Sequence, residues 1–493
     1  MDTSGDRYST AARLTRNSAF IFLARLTDLT VAIASIALIA RYLGVVDFGY
    51  FAFVTAITIF LVPFTDFGFE RIITREIAGD RALAESYFGS AVLARLFLSV
   101  VIIALIFAVT RVFGWEGQIA HAVYISTFAQ LFFSMGMLAV GTFRAFERME
   151  YELLLNFVFN IVYILLIVAV VRFDLGFLSI FAARLVASIL HMTVLMIIAV
   201  WKFVRPVLRL DPGLITYLFK EALPLGIFAL LLTASFKVDV FVLNHFRGPE
   251  EVSIFEAGHK IIMQLQVFPT SIVIALFPLF SRLEKQDAES LRSSFNTSFK
   301  FMLIAGLPVP LLLVFASDPI ISSLYGAGFI DASSVLKILS LTIPFLFLLS
   351  VQSFVLTSKG RQGLNTASVA VCFALNLALD MVLAPRYGYI GVSWATLASY
   401  TVFFFISFFF ISRTTGAPPV GRILPKPLLG VGLLWAAVSL LDIKGGLLLT
   451  ALGCVVIMAL YVIIIVLLKT FDHEEVQVIK RLVYRRRFQG KGP

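Results

Sequence analysis

Apolar runs long enough to cross a bilayer follow one another along almost the whole chain, with short polar segments between them. They occupy 17–40, 48–70, 89–110, 118–143, 153–171, 176–201, 222–245, 253–280, 300–317, 333–357, 365–384, 389–412, 427–441 and 447–468. A spanning helix needs roughly 20 predominantly apolar residues, and all but the thirteenth run come close to that. The pattern predicts about fourteen transmembrane helices in an all-α polytopic membrane protein. The first run is interrupted by Arg25 and Asp28 and lacks a small-residue cleavage site, so it is read as a span rather than a signal peptide.

The polar segments test that count. With the N-terminus inside, the inner segments, counting Lys300 at the inner edge of the ninth run, carry 28 Lys and Arg residues and the outer ones six, and the other six basic residues lie within spans. Basic residues concentrate on the cytoplasmic side of membrane proteins, and a missed helix would scramble the alternation, so both termini are expected in the cytoplasm. Composition agrees: 60% of the 493 residues are hydrophobic, 14% are charged, and mean hydropathy is +0.96. The net charge of +10 then reflects membrane orientation and gives no reason to invoke nucleic acid. Cys372 and Cys454 read as small packing residues. The longer inner segments, 71–88, 202–221 and 281–299, read as amphipathic helices at the interface. The tail from Lys469 reads either as a surface helix attracted to anionic membrane lipid or as an ordinary basic tail.

Charges at membrane depth are costly and normally face a bundle interior or a water-filled cavity. Arg25 and Asp28 share a face of the first span with Ser35. Arg184, Ser188 and His191 form a stripe on the sixth, Glu256, Lys260 and Gln264 on the eighth, and Asn376 and Asp380 on the eleventh. Lys237 and Asp239, two residues apart on the seventh, point in different directions. Arg25–Asp28 and Glu256–Lys260 could each be a self-neutralising pair within one helix. Equally, the basic residues could line a cavity for an anionic head group, with Asp28, Asp239, Glu256 or Asp380 carrying a coupling ion. His191 reads as a hydrogen-bonded helix contact.

The chain also repeats itself. RYLGVVDFGYF (41–51) aligns with HFRGPEEVSIF (245–255), pairing Gly44 with Gly248, and GFLSIFAARLVAS (176–188) aligns with GYIGVSWATLAS (388–399). The offsets of 204 and 212 residues correspond to six spans, which predicts two six-helix lobes in a pseudo-two-fold arrangement, plus two extra C-terminal helices. Parallel repeats about an axis along the membrane normal are a transporter architecture. The chain has no phosphate loop of the GxxxxGK[ST] type, no HExxH pair, and no loop large enough for a sugar-transferring site. It reads as a transporter rather than an enzyme, needing no bound cofactor and driven by an ion gradient, H+ or Na+, by the membrane potential, or by the substrate's own gradient.

YLGVVDFGYFAF (42–53), DFGFERIITREIA (66–78), FKVDVFVLNHFRGPEEVSIFEAGHKI (236–261), FPLFSRL (277–283), YGAGFIDASSVLKILS (325–340) and NLALDMVLAPRYGYIGVSWATLASY (376–400) occur in one order over nearly the whole chain. In these motifs the chain resembles the polysaccharide flippases of the multidrug/oligosaccharidyl-lipid/polysaccharide exporter superfamily. It departs from them in having Phe255 and Gly258 where Tyr and Ala are usual. The resemblance implies a cytoplasmic segment (1–16), an N-lobe (17–201), a linker (202–221), a C-lobe (222–412), two added helices (427–468) and a basic tail (469–493). It implies flipping of undecaprenyl-pyrophosphate-linked oligosaccharide across a prokaryotic plasma membrane, in company with a polysaccharide polymerase and glycosyltransferases. Arg25, Arg184, Lys237 and Lys260 would then neutralise the pyrophosphate, the two arginines foremost because a guanidinium fork matches phosphate oxygens. A cation-coupled multidrug exporter of the same superfamily and a non-transporting membrane scaffold remain open readings.

Overall fold

The computed structural model describes residues 3–209, 211–439 and 447–470, with side chains from Leu29 onward except at 224–225, 274–275, 277–279, 281–282, 285–286, 437 and 447. The side chains of Arg25 and Asp28, and the tail beyond residue 470, lie outside the described residues. Those residues form helices and connecting turns and no strand. The helices are α1 (Thr3–Asp66), α2 (Phe69–Gly79), α3 (Ala84–Val112), α4 (Gly117–Ala145), α5 (Met149–Arg172), α6 (Phe177–Lys202), α7 (Pro212–Arg247), α8 (Pro249–Leu265) and α9 (Val267–Gln286). They continue as α10 (Ala288–Gly306), α11 (Val309–Tyr325), α12 (Ala332–Ser340), α13 (Ile343–Ser358), α14 (Gln362–Thr414), α15 (Val420–Ile423), α16 (Pro425–Ser439) and α17 (Leu447–Leu467).

Ten helices or bent helix pairs among the described residues are long and apolar enough to cross a membrane. Two of them, α1 and α14, contain a break and cross twice, and α8–α9 with the short α16 complete fourteen passes. Proline marks two of the bends. Pro308 precedes α11, and Pro344 opens α13, which turns 49° from α12. Each proline removes a backbone donor that would have continued the helix.

At one end of the bundle, here the Gly44 end, the chain turns its corners at glycines. Gly44 (φ 72°, ψ −175°), Gly176 (83°, 177°), Gly248 (87°, −177°), Gly326 (99°, 172°) and Gly388 (56°, −139°) all lie in or beside a region that only glycine enters freely. Both glycine pairs that align in the internal repeat therefore make the same corner. Polar side chains clamp these corners. The Tyr42 hydroxyl donates to Asp174 (2.7 Å) and accepts from the Gly176 amide (2.8 Å). Glu251 accepts from the Tyr389 amide (2.8 Å).

Two lobes meet side by side. In one, α1 packs with α4 and α5, and α6 lies along α4 and α5; in the other, α14 packs along α7 and α13, and α8 along α12. At the Gly44 end the lobes are sealed. Phe48 of α1 rests on Tyr325 and Phe329 (ring centroids 6.2 and 5.6 Å), and Arg41 donates to the Ser323 and Leu324 carbonyls that end α11. Gly49 lies so close to α8 that a Cβ there would be 1.8 Å from the Pro249 carbonyl oxygen.

At the opposite end, the Gly360 end, the structure departs from the expected interfacial helices. The apolar face of α2 (Phe69, Ile72, Ile73, Ile77) is buried against α3, α4 and α7, so it fills the protein core and not lipid. Segment 202–221 is partly the start of α7, whose Leu218 and Ala222 join that same core. Segment 281–299 is the meeting of α9 and α10, where Asp287 caps α10 through the Glu289 amide. Buried Arg95 binds Asp66 and the Ser134 carbonyl, and Arg144 binds Glu70 and Glu152, tying α1, α2, α3, α4 and α5 together.

Candidate functional site

Helical spacing places a charge on a face, and the facing helix decides its partner. Lys237 on α7 reaches α8, where its ammonium donates to Glu256 Oε1 at 2.8 Å. Both are buried, at 8% and 1% exposure. Glu256 is thus paired across helices and not only along its own helix. His259, buried one turn on, stacks on Phe255 and lies 3.9 Å from the same oxygen. Lys260 is within electrostatic range of Glu256, Lys237 and, from the other lobe, Arg184. Lys237 therefore contacts Glu256, and Lys260 links their electrostatic neighbourhood to Arg184.

Arg184 arrives there in an aromatic cage. Its guanidinium carbon lies 5.4 Å from the ring centre of Tyr163, 5.9 Å from Phe159 and 6.0 Å from Phe133. Aromatic faces attract a cation without cancelling its charge, so the cage orients the guanidinium and leaves it electropositive. His191 packs against Phe133 and Phe159 of the same cage and is hydrogen-bonded to Asn156 at 3.2 Å.

Asp239, pointing away from Lys237, turns to α14. The Asn376 amide nitrogen donates to Asp239 Oδ1 (2.8 Å) and Asp380 Oδ2 (3.0 Å), so those two oxygens lie within about 6 Å of each other. Thr396, on the returning limb of α14, donates to Asp239 Oδ2 at 3.4 Å and to its own helix at Val392 O. All four side chains are at most 2% exposed. Two carboxyl groups in such a place need a positive partner, and a set of hard oxygen donors suits a proton or a small metal cation.

The structure thus bonds Lys237 to Glu256, sets Lys260 and Arg184 in the same electrostatic neighbourhood, and joins Asp239 to Asp380 through Asn376. Arg25 and Asp28 are outside the described side chains. Sequence reasoning missed His259 and Thr396. Thr396 lies in the repeated GYIGVSWATLAS segment, so the repeat was the signal that pointed to it.

The comparisons fit this architecture. The profile of the family described as polysaccharide biosynthesis protein matches residues 14–284, and the MatE profile matches 224–382. An uncharacterised membrane protein, MJ1068, of Methanocaldococcus jannaschii is 25% identical over 36% of this chain, a match that spans only 35% of that protein. The probable low-salt glycan biosynthesis flippase Agl15 of Haloferax volcanii is 22% identical over 79% of this chain and 81% of its own length. Among solved structures, the lipid II flippase MurJ in an inward closed conformation superposes with a TM-score of 0.76 at 16% identity, covering 96% of this chain and 99% of that one. That likeness establishes the two-lobe fold. With more than half of its length matched by one profile and its motifs in order, the chain belongs to the polysaccharide biosynthesis protein family.

Proposed function

We propose that the protein is a secondary flippase that carries an undecaprenyl-pyrophosphate-linked oligosaccharide from the inner to the outer leaflet of a prokaryotic plasma membrane by alternating access. One observation supports this reading: Arg184, Lys237 and Lys260 share one electrostatic neighbourhood, in which Glu256, bonded to Lys237, is the carboxylate among the described residues. A translocon-scale cost of about 2.5–3.5 kcal/mol for each charge at helix centre argues that such a surplus of positive charge serves an anionic cargo. A pyrophosphate crossing the bilayer supplies it, with Arg25 as a fourth contact from the first span. The sealed Gly44 end, taken as the outer face from the basic residues gathered at the other end, fits a cavity that loads from the cytoplasm.

Asp239, Asp380, Asn376 and Thr396 form the coupling site in this reading. In one rotamer the Asn376 amide donates to both carboxyl groups, and turned over it offers its oxygen to a cation between them. One residue thereby serves the empty and the loaded state. Asp28 and Glu256 are the remaining acidic candidates, and Glu256 acts first as the holder of Lys237.

The test is export in a strain lacking the native gene, scored as surface polysaccharide against membrane abundance. Arg184→Ala and Lys260→Ala should lose surface polymer at unchanged abundance. Full polymer from a chain with Arg25, Arg184, Lys237 and Lys260 all replaced would overturn electrostatic head-group binding.

A further inference from the structure

Below the carboxyl pair, the first limb of α14 carries a polar stripe that the head-group cavity does not use. Asn365, Ser368, Cys372, Asn376 and Asp380 follow one another at spacings of three and four, hence on one face. None is more than 4% exposed. At 1.5 Å per residue the stripe runs about 22 Å, from mid-bundle to the Gly360 end. The returning limb answers with Thr396, Tyr400 and Ser407, all buried. Asn376 on one limb and Thr396 on the other both donate to Asp239, so the two stripes meet at the carboxyl pair.

Four polar atoms along these stripes are buried without a hydrogen-bond partner: Asp380 Oδ1, the Tyr400 hydroxyl, the Ser407 hydroxyl and Asn365 Oδ1. A serine hydroxyl can turn to the carbonyl one helical turn back, as Ser368 does to Leu364 at 2.9 Å. A tyrosine hydroxyl, an amide oxygen and a carboxylate oxygen have no such alternative. Leaving a buried polar group unmet costs about 1–3 kcal/mol, and ordered water is the usual remedy where several such groups line one space. At the far end, Asn365 donates to the Ser353 carbonyl and the Thr357 hydroxyl, close to the Gly360 turn.

We propose that a water-filled path inside the lobe, between the two limbs of α14 and α7, joins the Asp239–Asp380 pair to the Gly360 end and conducts the coupling cation, a proton or Na+. The inference rests on the coupling role proposed above for that pair. Charge decides against the alternative path through the cavity, where a cation would pass Arg184, Lys237 and Lys260. Between Arg361 and Arg386, and again between Arg386 and Arg413, α14 has no basic residue.

Cys372, one turn below Asn376, reports on the path. With Cys454→Ser it is the single thiol, and Ag+, a thiol-seeking cation near Na+ in size, is the probe. Sealed membrane vesicles of each orientation are exposed to Ag+ without chloride, and Cys372 left unblocked is alkylated after denaturation and read by mass. Ag+ should block Cys372 from the Gly360 end and not from the Gly44 end. Ser368→Leu, which plugs the stripe without touching the carboxyl pair, should abolish the block, and Ser368→Ala should keep it. Excess Na+ slows the block if the path carries Na+ and leaves it unchanged if it carries protons. Absence of blocking from both sides, equal blocking from both, or full blocking in Ser368→Leu would each overturn the proposal. The assay uses no lipid-linked substrate, so its failure leaves the head-group reading standing, and failure of the export test leaves the path standing.

Discussion

Gly49 offers the sharpest test of how the lobes part. A Cβ at this position would lie 1.8 Å from the Pro249 carbonyl oxygen and 2.5 Å from its carbon. Non-bonded carbon contacts settle near 3.5–4.0 Å, so Gly49→Ala forces α1 and α8 apart by about 1.5 Å or distorts both. Overpacking of this kind costs about 1–3 kcal/mol. If the Gly44 end opens during transport, only the closed state bears that cost. The ratio of open to closed molecules should then rise by a factor of about 5–150. Ala52, 4% exposed on the same limb of α1, makes a conservative reporter as Ala52→Cys in a chain with Cys372 and Cys454 replaced by serine. Its reaction with an impermeant maleimide in whole cells should accelerate by that factor when Gly49→Ala is added. An unchanged rate at normal abundance would show that this contact is static packing and not a seal that opens.

Three other outcomes follow from the same geometry. Lys237→Met removes the ammonium bonded to Glu256 and should lower thermal stability by about 3–5 kcal/mol, as breaking a buried pair does; adding Glu256→Gln should restore stability, measured in detergent, but not surface polymer, and restored polymer would remove Lys237 from the head-group site. Asp380→Asn should keep abundance and abolish the dependence of export on the cation gradient, so wild-type gradient dependence in this variant would exclude the pair from coupling. Cysteines at Glu250 and Arg361, exposed at opposite ends of the bundle, should label from outside and inside respectively, and the reverse result would invert the orientation.

The fourteen passes were legible because hydropathy counts crossings whatever the helices do between them. It does not register bending, so the continuation of α1 and α14 through Gly44 and Gly388 and the start of α7 at Pro212 came only from the structure. The same limit applied to the site. Spacing correctly sent Lys237 and Asp239 in different directions and put Asn376 with Asp380, because those are properties of one helix. It could not show that Glu256 takes its partner from α7, or that Arg184 is caged by rings from α4 and α5. Both depend on which helices become neighbours. Thr396 was hidden for a further reason: a threonine in a membrane helix ordinarily satisfies itself on its own backbone, as this one also does.

The single-glycine corners have a practical consequence for anyone handling the protein. Where the reversal is made in one residue, at Gly44, Gly248 and Gly388, no slack chain is left for antibodies, proteases or phages to grip. Epitope tags and fluorescent insertions placed at Gly44, Gly176, Gly248, Gly326 or Gly388 would pull apart helices clamped by Tyr42 and Glu251. The Gly360 end, where chain such as 415–419 runs without helix between α14 and α15, is where a reporter can be carried without disturbing the bundle.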